Sequence, residues 1–201
     1  MRLIGLFDSP YVRRVAISLR AMGLPFNHEP LSVFRDFDRF AAVNPIVKAP
    51  TLIADDGTML IDSTLILDYL DRVALPGRRL VPEDPAAFLA SQRIIGLALA
   101  ACEKTVQIVY ENKLRPAEKQ HQPWLDRVEG QLLAAYDLLE AAYAAMPAAT
   151  RLMQADITAA VAWRFTAGVL PGVIAPARCP ALAALSAEAE ARPEFLSVPF
   201  D

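Results

Sequence analysis

The sequence predicts a small mixed α/β domain followed by an all-helical domain. In the first part of the chain, short apolar runs of strand length alternate with helical patterns. Alanine is concentrated in the second part: of 35 alanines in 201 residues, only 7 precede position 81. Because alanine is the strongest helix former, the second part is expected to be helical. We predict domains at 1–75 and 86–201, joined by a linker at 76–85.

The first elements predict a β-α-β unit. An apolar run at 3–7 has the length of a strand, and apolar residues from 12 to 22 recur at helical spacing. Ser9 suits the N-cap of this helix, and Gly23 suits its C-terminal stop. A second strand at 26–31 is expected to pair in parallel with the first, because a helix connects the two.

The next segment predicts a β-hairpin and a helix. Two short apolar runs, 51–54 and 59–61, flank an Asp-Gly pair, which is typical of a tight hairpin turn. Apolar residues at helical spacing follow from Leu65 to Val73. After a linker rich in proline, prolines separate four longer helical patterns, at 86–114, 117–145, 155–167 and 181–191.

Composition and charge exclude several classes of protein. A hydrophobic content of 54% excludes a disordered chain, and a net charge of −3 lacks the basic surface of a nucleic-acid binder. The longest uncharged apolar stretch, 165–177, is too short and too interrupted to span a bilayer, and Asp8 comes too early for a signal peptide. Two cysteines and two histidines make no metal cluster. We expect a cytoplasmic protein that binds no membrane, nucleic acid or metal.

Ser9 is the first candidate functional residue, because it opens the first helix. A helix N-terminus presents unpaired amides and a partial positive charge, which favour an anion such as a thiolate. Considered in isolation, Ser9 is explained more simply as a helix cap.

Two further segments are candidates for binding. Pro50 directly precedes a strand, and a cis bond there exposes the main chain of Ala49, although a trans proline is the ordinary alternative. Ser63 is a natural N-cap for the next helix, and its amide and hydroxyl offer a carboxylate site there, while Asp62 offers a partner for an ammonium group. Capping alone is again the simpler alternative.

In order and spacing, these segments resemble the N-terminal, thioredoxin-like domain of the cytosolic glutathione transferases, and in particular its bacterial, serine-type members. The matching residues are Ser9-Pro10-Tyr11-Val12-Arg13-Arg14-Val15, Asn44-Pro45 with Lys48-Ala49-Pro50-Thr51-Leu52, and Asp62-Ser63-Thr64 with Leu67-Asp68-Tyr69-Leu70. The second part resembles the C-terminal helical bundle domain of the same family, through Tyr110-Glu111, Leu114-Arg115-Pro116, Trp124-Leu125-Asp126-Arg127, Ala155-Asp156-Ile157 and Ala191-Arg192-Pro193-Glu194-Phe195. The resemblance covers nearly the whole chain.

The resemblance implies a role for each candidate. Ser9 would donate a hydrogen bond to the sulfur of glutathione, and Ala49, before a cis Pro50, would pair through its main chain with the cysteinyl part. The remaining assignments are Asp62 and Ser63 for the γ-glutamyl end, Lys48 or Arg35 for the glycine carboxylate, and Tyr11, Tyr110 and Cys102 for the electrophile pocket. Solvation explains Lys48 and Arg35 equally well, packing explains both tyrosines, and a buried, inert thiol is the simpler expectation for Cys102. Arg13 is expected near the site entrance or on a solvated helix face.

Three residues depart from the family pattern. Val47 replaces the usual glycine of the Asn-Pro-x-Gly stretch, and Ala49 replaces the usual valine before the cis-proline. Met153 stands where serine or threonine normally caps a helix, so the reciprocal cap with Asp156 is expected to be lost.

The function implied is that of a cytoplasmic, homodimeric transferase in detoxification, which adds the thiolate of glutathione, its co-substrate, to a small hydrophobic electrophile. One alternative is a glutathione-dependent isomerase, dehalogenase or etherase. Another is a non-catalytic glutathione-binding or stress-regulatory interaction module.

Overall fold

The computed structural model describes residues 1–145 and 151–200, which divide into two compact units. The first unit comprises Met1–Val81 together with the segment that begins at Ala191, and the second comprises Pro82–Glu190. The final segment belongs to the first unit because it packs against a helix of that unit, a long-range contact that helical patterning does not reveal. The limits of the domains inferred from the sequence stay a prediction.

A four-stranded mixed sheet forms the centre of the first unit. Its strands are β1 (Arg2–Ile4), β2 (Asn27–Glu29), β3 (Thr51–Ile53) and β4 (Met59–Ile61), in the spatial order β2-β1-β3-β4. β1 pairs in parallel with β2 and antiparallel with β3, and β3 pairs antiparallel with β4. The predicted parallel pair and hairpin are therefore confirmed, with β1 and β2 shorter than expected.

Three helices, α1 (Pro10–Met22), α2 (Phe37–Val43) and α3 (Ser63–Val73), accompany this sheet. Ser9 is the N-cap of α1, and Gly23 ends it in the left-handed conformation, with φ 71°. The N–H of Gly23 donates to the carbonyls of Arg20 and Leu19, as a C-terminal glycine cap requires. Both predicted ends of α1 are confirmed.

Arg13 does not lie on a solvated face. Its side chain is fully buried, its Nε donates to the carbonyl of Val198 over 2.9 Å, and its guanidinium lies 5.6 Å from the ring centroid of Phe195. Val198 and Phe195 belong to the C-terminal segment, residues 193–200, which follows the last long helix of the chain and includes α8 (Pro193–Leu196). The expectation of a solvated Arg13 was wrong because this segment covers that face of α1.

The second unit contains the helices α4 (Pro85–Leu114), α5 (Gln122–Ala144), α6 (Gln154–Val169) and α7 (Pro180–Glu190). α4 packs against α5 and α6, and α6 packs against α7. Tyr136 of α5 is fully buried and donates to the carbonyl of Ala162 on α6 over 2.9 Å. Burial raises the pKa of this hydroxyl far above its ordinary value, so it stays a donor. The predicted helical bundle is confirmed.

The start of α5 differs from the prediction. The sequence pattern began this helix at 117, whereas 117–119 forms a single 3₁₀ turn and α5 begins at Gln122. The buried carboxylate of Glu111 accepts from the N–H of His121 over 2.9 Å and from Arg115 over 2.8 Å. A tertiary hydrogen bond therefore sets the N-terminus of α5.

Among the described residues, α4 alone is long and apolar enough to cross a bilayer by length and composition. Core helices of soluble proteins also reach this length and apolar composition. The buried side chains of α4, which include Ile94, Ala98, Ala101 and Ile108, lie in a unit where α5 and α6 pack against this helix.

At the start of α6, Asp156 accepts from the N–H of Met153 over 2.9 Å and from the hydroxyl of Tyr143 over 3.0 Å. Half of the capping pair is therefore present, and the missing half is an oxygen at position 153.

Met153→Ser is expected to raise the free energy of unfolding by about 1 kcal/mol, because serine accepts from a backbone N–H of the first turn. Thermal and urea denaturation measure the change. A control, Met153→Ala, lacks the oxygen and should give no stabilisation; equal effects of both substitutions would contradict the capping explanation.

Candidate functional site

Ser9 lies at the start of α1, half-buried, where the chain leaves β1. Its Oγ accepts from the N–H of Val12 at 3.4 Å, which is long for a hydrogen bond. The N–H of Ser9 itself donates to the carbonyl of Leu6 over 3.2 Å, which holds the turn that precedes the helix. Because Oγ is the acceptor in its contact with Val12, the hydroxyl hydrogen is not used there. Capping and donation to a ligand are therefore compatible in the same side chain.

The peptide bond between Ala49 and Pro50 is cis, as the family resemblance implies. This loop lies against the end of β1, where Gly5 has φ 135°. A Cβ on Gly5 would lie 2.6 Å from Cγ2 of Val12 and 3.1 Å from Cβ of Ala49. Both the backbone conformation and the lack of space require glycine, which lets the loop before α1 and the loop before β3 approach each other.

Asn44 holds the loop that leads to the cis peptide bond. Its side chain is fully buried; Nδ2 donates to Oγ1 of Thr51 over 2.9 Å, and Oδ1 accepts from the N–H of Ile46 over 3.0 Å. The hydroxyl of Thr51 in turn donates to the carbonyl of Lys48 over 2.8 Å. This network ties both ends of the loop to the start of β3.

Val47, which replaces the family glycine, adopts φ 52°. The loop thus keeps a left-handed conformation at this position although valine, a β-branched residue, adopts it only with strain. Val47 is partly buried and packs against the apolar cluster of Ile4, Leu31 and Phe40. Its side chain gains burial that glycine lacks, which helps to offset the strain.

Asp62 is the N-cap of α3, which begins at Ser63, so the prediction that Ser63 caps this helix was wrong. Asp62 has φ 73°, and its Oδ1 accepts from the N–H of Thr64 over 2.9 Å. Nζ of Lys48 lies 3.8 Å from Oδ2 of Asp62, and both side chains are about half exposed. The structure thus brings Lys48 to the Asp62 end of the site, so a positive and a negative charge stand side by side there.

Ser63 is 4% exposed, and its Oγ accepts from Nη1 of Arg14 over 3.3 Å. Arg14, on α1, is 2% exposed. The hydroxyl at the start of α3 is therefore held by a side chain from α1.

Arg35 lies exposed in the turn before α2. Ser32 and Asp36 form this turn: Oδ2 of Asp36 accepts from the N–H of Ser32 over 2.9 Å, and Oγ of Ser32 accepts from the N–H of Arg35 over 3.1 Å. The hydrogen bond from Ser32 is the main cause that lowers the pKa of Asp36, despite an opposing effect of burial. The backbone at Arg35 is well held, while its side chain extends into solvent.

The residues predicted for an electrophile pocket lie in different parts of the chain. Tyr11 is half-buried on α1, whereas Tyr110 and Cys102 belong to α4 of the second unit. Tyr110 is 45% exposed and Cys102 only 2%. Burial of this kind limits the access of a ligand to the Cys102 thiol.

Within residues 1–145 and 151–200, no group of three or more His, Cys, Asp or Glu side chains is arranged to hold a metal ion.

The sequence assigned no role to three residues that contact the candidate segments: Gly5, Asn44 and Arg14. A glycine directly after an apolar strand, as at Gly5, is a usable signal for a close backbone approach. Asn44 was part of the recognised Asn-Pro stretch, but its buried network was not foreseen. For Arg14 no such signal exists, because a pair of arginines in an amphipathic helix ordinarily indicates a solvated face.

Asn44→Ala is expected to lower the free energy of unfolding by about 2–4 kcal/mol, because it removes the hydrogen bonds of a fully buried amide and takes the donor from the buried hydroxyl oxygen of Thr51. Urea denaturation measures this loss. Asn112→Ala, at an exposed position on α4, serves as the matched control and should change stability by less than about 0.5 kcal/mol. Similar effects of the two substitutions would contradict the role of the network.

Comparisons with known proteins agree on one family. Residues 3–75 match the family described as glutathione S-transferase, N-terminal domain. The chain is 32% identical to a glutathione transferase family member from Pseudomonas fluorescens Pf-5, solved with bound S-(propanoic acid)-glutathione, with a TM-score of 0.83 over 98% of each chain. It is 30% identical to a glutathione S-transferase from Methylobacterium radiotolerans in complex with glutathione sulfonate, with a TM-score of 0.90 over 100% of this chain and 95% of the other.

Two curated relatives match about two thirds of the chain. The GST-like protein YibF of Escherichia coli is 29% identical over 140 residues, which cover 70% of this chain and 68% of the relative. Maleylacetoacetate isomerase of Pseudomonas aeruginosa is 29% identical over 147 residues, or 69% of either chain.

Proposed function

Because the chain belongs to the glutathione transferase family, we propose that it binds glutathione in its first unit and activates the thiol as a thiolate for attack on a small hydrophobic electrophile. The observation that carries this proposal is the hydroxyl of Ser9 at the N-terminus of α1, on a unit that also presents the cis Ala49–Pro50 bond. Two solved relatives of at least 30% identity carry glutathione derivatives.

The energy needed for activation is within the reach of these groups. A free thiol has a pKa of about 8.5, and lowering it by two units requires about 2.7 kcal/mol. A hydrogen bond to a charged group contributes about 1.5–3 kcal/mol, and a helix N-terminus about 0.3–1 kcal/mol. Ser9 therefore stabilises the thiolate as a donor, and no general base is required.

The polar groups at the start of α3 match the γ-glutamyl end of glutathione, which carries an ammonium and a carboxylate group. In this proposal the Asp62 carboxylate receives the ammonium, and the Ser63 hydroxyl receives the carboxylate. The main chain of Ala49 pairs with the cysteinyl part. Lys48 or Arg35 receives the glycine carboxylate; Lys48 must then leave its 3.8 Å pairing with Asp62.

Tyr11 and Tyr110 are the candidates for binding the electrophile, because both side chains have exposed surface. Cys102 is a weaker candidate because its side chain is almost fully buried.

The homodimer and the cytoplasmic location belong to the same proposal. Sedimentation that shows only a 22.0 kDa species would contradict the dimer.

Isomerisation of a substrate such as maleylacetoacetate is the second candidate function. It is supported by the similarity to maleylacetoacetate isomerase over 69% of the chain. The same thiolate suits both reactions, since addition of sulfur to a double bond and its later elimination permit rotation about that bond.

The two functions are separated by assaying the purified protein with glutathione against an aryl halide and against maleylacetoacetate. We expect conjugation of the aryl halide, with the halide released and the sulfur bonded to the ring. Isomerisation without net consumption of glutathione would favour the second function. Glutathione affinity without turnover on either substrate or on a broad electrophile panel would contradict both and indicate a binding module.

A further inference from the structure

Arg14 is an unusual residue for its position. Arginine is seldom fully buried in proteins, and the side chain of Arg14 is only 2% exposed inside the first unit. It lies on α1, five residues after Ser9, and its Nη1 reaches Oγ of Ser63 at the start of α3 over 3.3 Å. The same helix therefore carries the proposed thiolate donor at its N-terminus and supports the proposed γ-glutamyl site from behind.

The chemistry of this contact sets the direction of the Ser63 hydroxyl. A guanidinium has only donors, so Oγ of Ser63 must be the acceptor. A hydroxyl has one hydrogen and two lone pairs, and the contact with Arg14 occupies a lone pair. The hydrogen of Ser63 is then directed away from Arg14, toward an acceptor elsewhere. At a helix N-terminus an anionic acceptor is favoured.

We propose that Arg14 is a positioning residue that orients the Ser63 hydroxyl to donate to the α-carboxylate of the γ-glutamyl group. The proposal rests on the function proposed above. Arg14 does not touch glutathione; it acts through Ser63. The consequence is selectivity: the first unit distinguishes glutathione from analogues that keep the ammonium group but lack this carboxylate.

The test compares two ligands by isothermal titration calorimetry with the full-length protein. One is glutathione, and the other is 4-aminobutanoyl-cysteinyl-glycine, which lacks only the α-carboxylate. Arg14→Met is expected to weaken glutathione binding about 10- to 100-fold, the range for loss of a hydrogen bond to a charged group. The same substitution should weaken binding of the analogue less than about twofold, because the analogue has no carboxylate for Ser63 to bind.

Four further variants make the result specific. Ser63→Ala should reproduce the loss for glutathione, and Arg14→Met combined with Ser63→Ala should add little, because the two residues act as one unit. Arg14→Lys keeps a donor and should recover part of the affinity. Arg20→Met is the matched control: Arg20 is an exposed residue of α1 whose guanidinium packs over Phe26, and its loss should affect neither ligand.

The outcomes separate the possible errors. Equal weakening of both ligands by Arg14→Met would show a purely structural role and overturn the inference. If Arg14→Met does not fold, Arg14→Lys and Ser63→Ala carry the test, and equal weakening of both ligands by them overturns it in the same way. Wild-type protein that binds neither ligand would instead refute the proposed function itself.

Discussion

Ser9→Ala is expected to lower kcat/KM for glutathione conjugation about 10- to 100-fold at neutral pH, because one hydrogen bond to a thiolate contributes about 1.5–3 kcal/mol. The same loss should move the acidic limb of the pH profile upward by about one to two units, since one pKa unit corresponds to 1.36 kcal/mol. The direction follows from the charge: without the donor the thiolate is less stable, its pKa rises, and a higher pH is needed to form it. Steady-state rates across pH measure both effects.

Ser9→Thr is the control for this substitution, because threonine keeps a hydroxyl that serves both as N-cap and as donor. It should retain most of the activity and the wild-type pH profile. Thermal unfolding should show only a small loss for Ser9→Ala, since the capping contact with Val12 is long at 3.4 Å. An unchanged rate and an unchanged profile in Ser9→Ala would contradict the role assigned to Ser9.

Phe195→Ala is expected to lower the free energy of unfolding by about 3–5 kcal/mol, the range for removal of a large buried aromatic side chain. Phe195 is 1% exposed and lies beneath the guanidinium of Arg13, so its loss leaves a cavity and exposes a buried charge. Urea denaturation of the full-length protein measures the effect.

Leu196→Ala provides a matched control one residue further along the chain. Leu196 is 67% exposed, so its truncation should change stability by less than about 0.5 kcal/mol. If the two substitutions destabilise equally, the C-terminal segment does not pack on α1 in solution as described. If only Phe195→Ala lowers the stability, the result would support the packing of residues 193–200 against α1.

Local signals in the sequence predicted local structure well. The start of α1 at Ser9 and its end at Gly23 depend on cap chemistry within a few residues, and the hairpin depends on its own Asp-Gly turn. Burial of Arg13 depends instead on Val198, far away in the sequence, so helical periodicity placed this residue on the wrong face. The start of α5 was missed for the same reason, because a carboxylate of α4 determines it.

In the candidate site, too, local features were predicted better than contacts between separate segments. Cap chemistry predicted Ser9 as the N-cap of α1, and the family resemblance implied the cis bond before Pro50. The N-cap of α3 was predicted one residue too late, at Ser63 and not at Asp62. The sequence did not reveal that Arg14 supports Ser63 or that Lys48 reaches Asp62, because these contacts depend on the packing of separate segments and on side-chain rotamers. Roles toward a ligand remain proposals that these geometries support.

The most direct test of the central claim is a crystal structure of the protein soaked with glutathione. We predict the sulfur within hydrogen-bonding distance of Oγ of Ser9, the cysteinyl part paired with the main chain of Ala49, and the γ-glutamyl end at Asp62 and Ser63. A sulfur bound away from Ser9, or glutathione bound only to the helices of the second unit, would contradict the account.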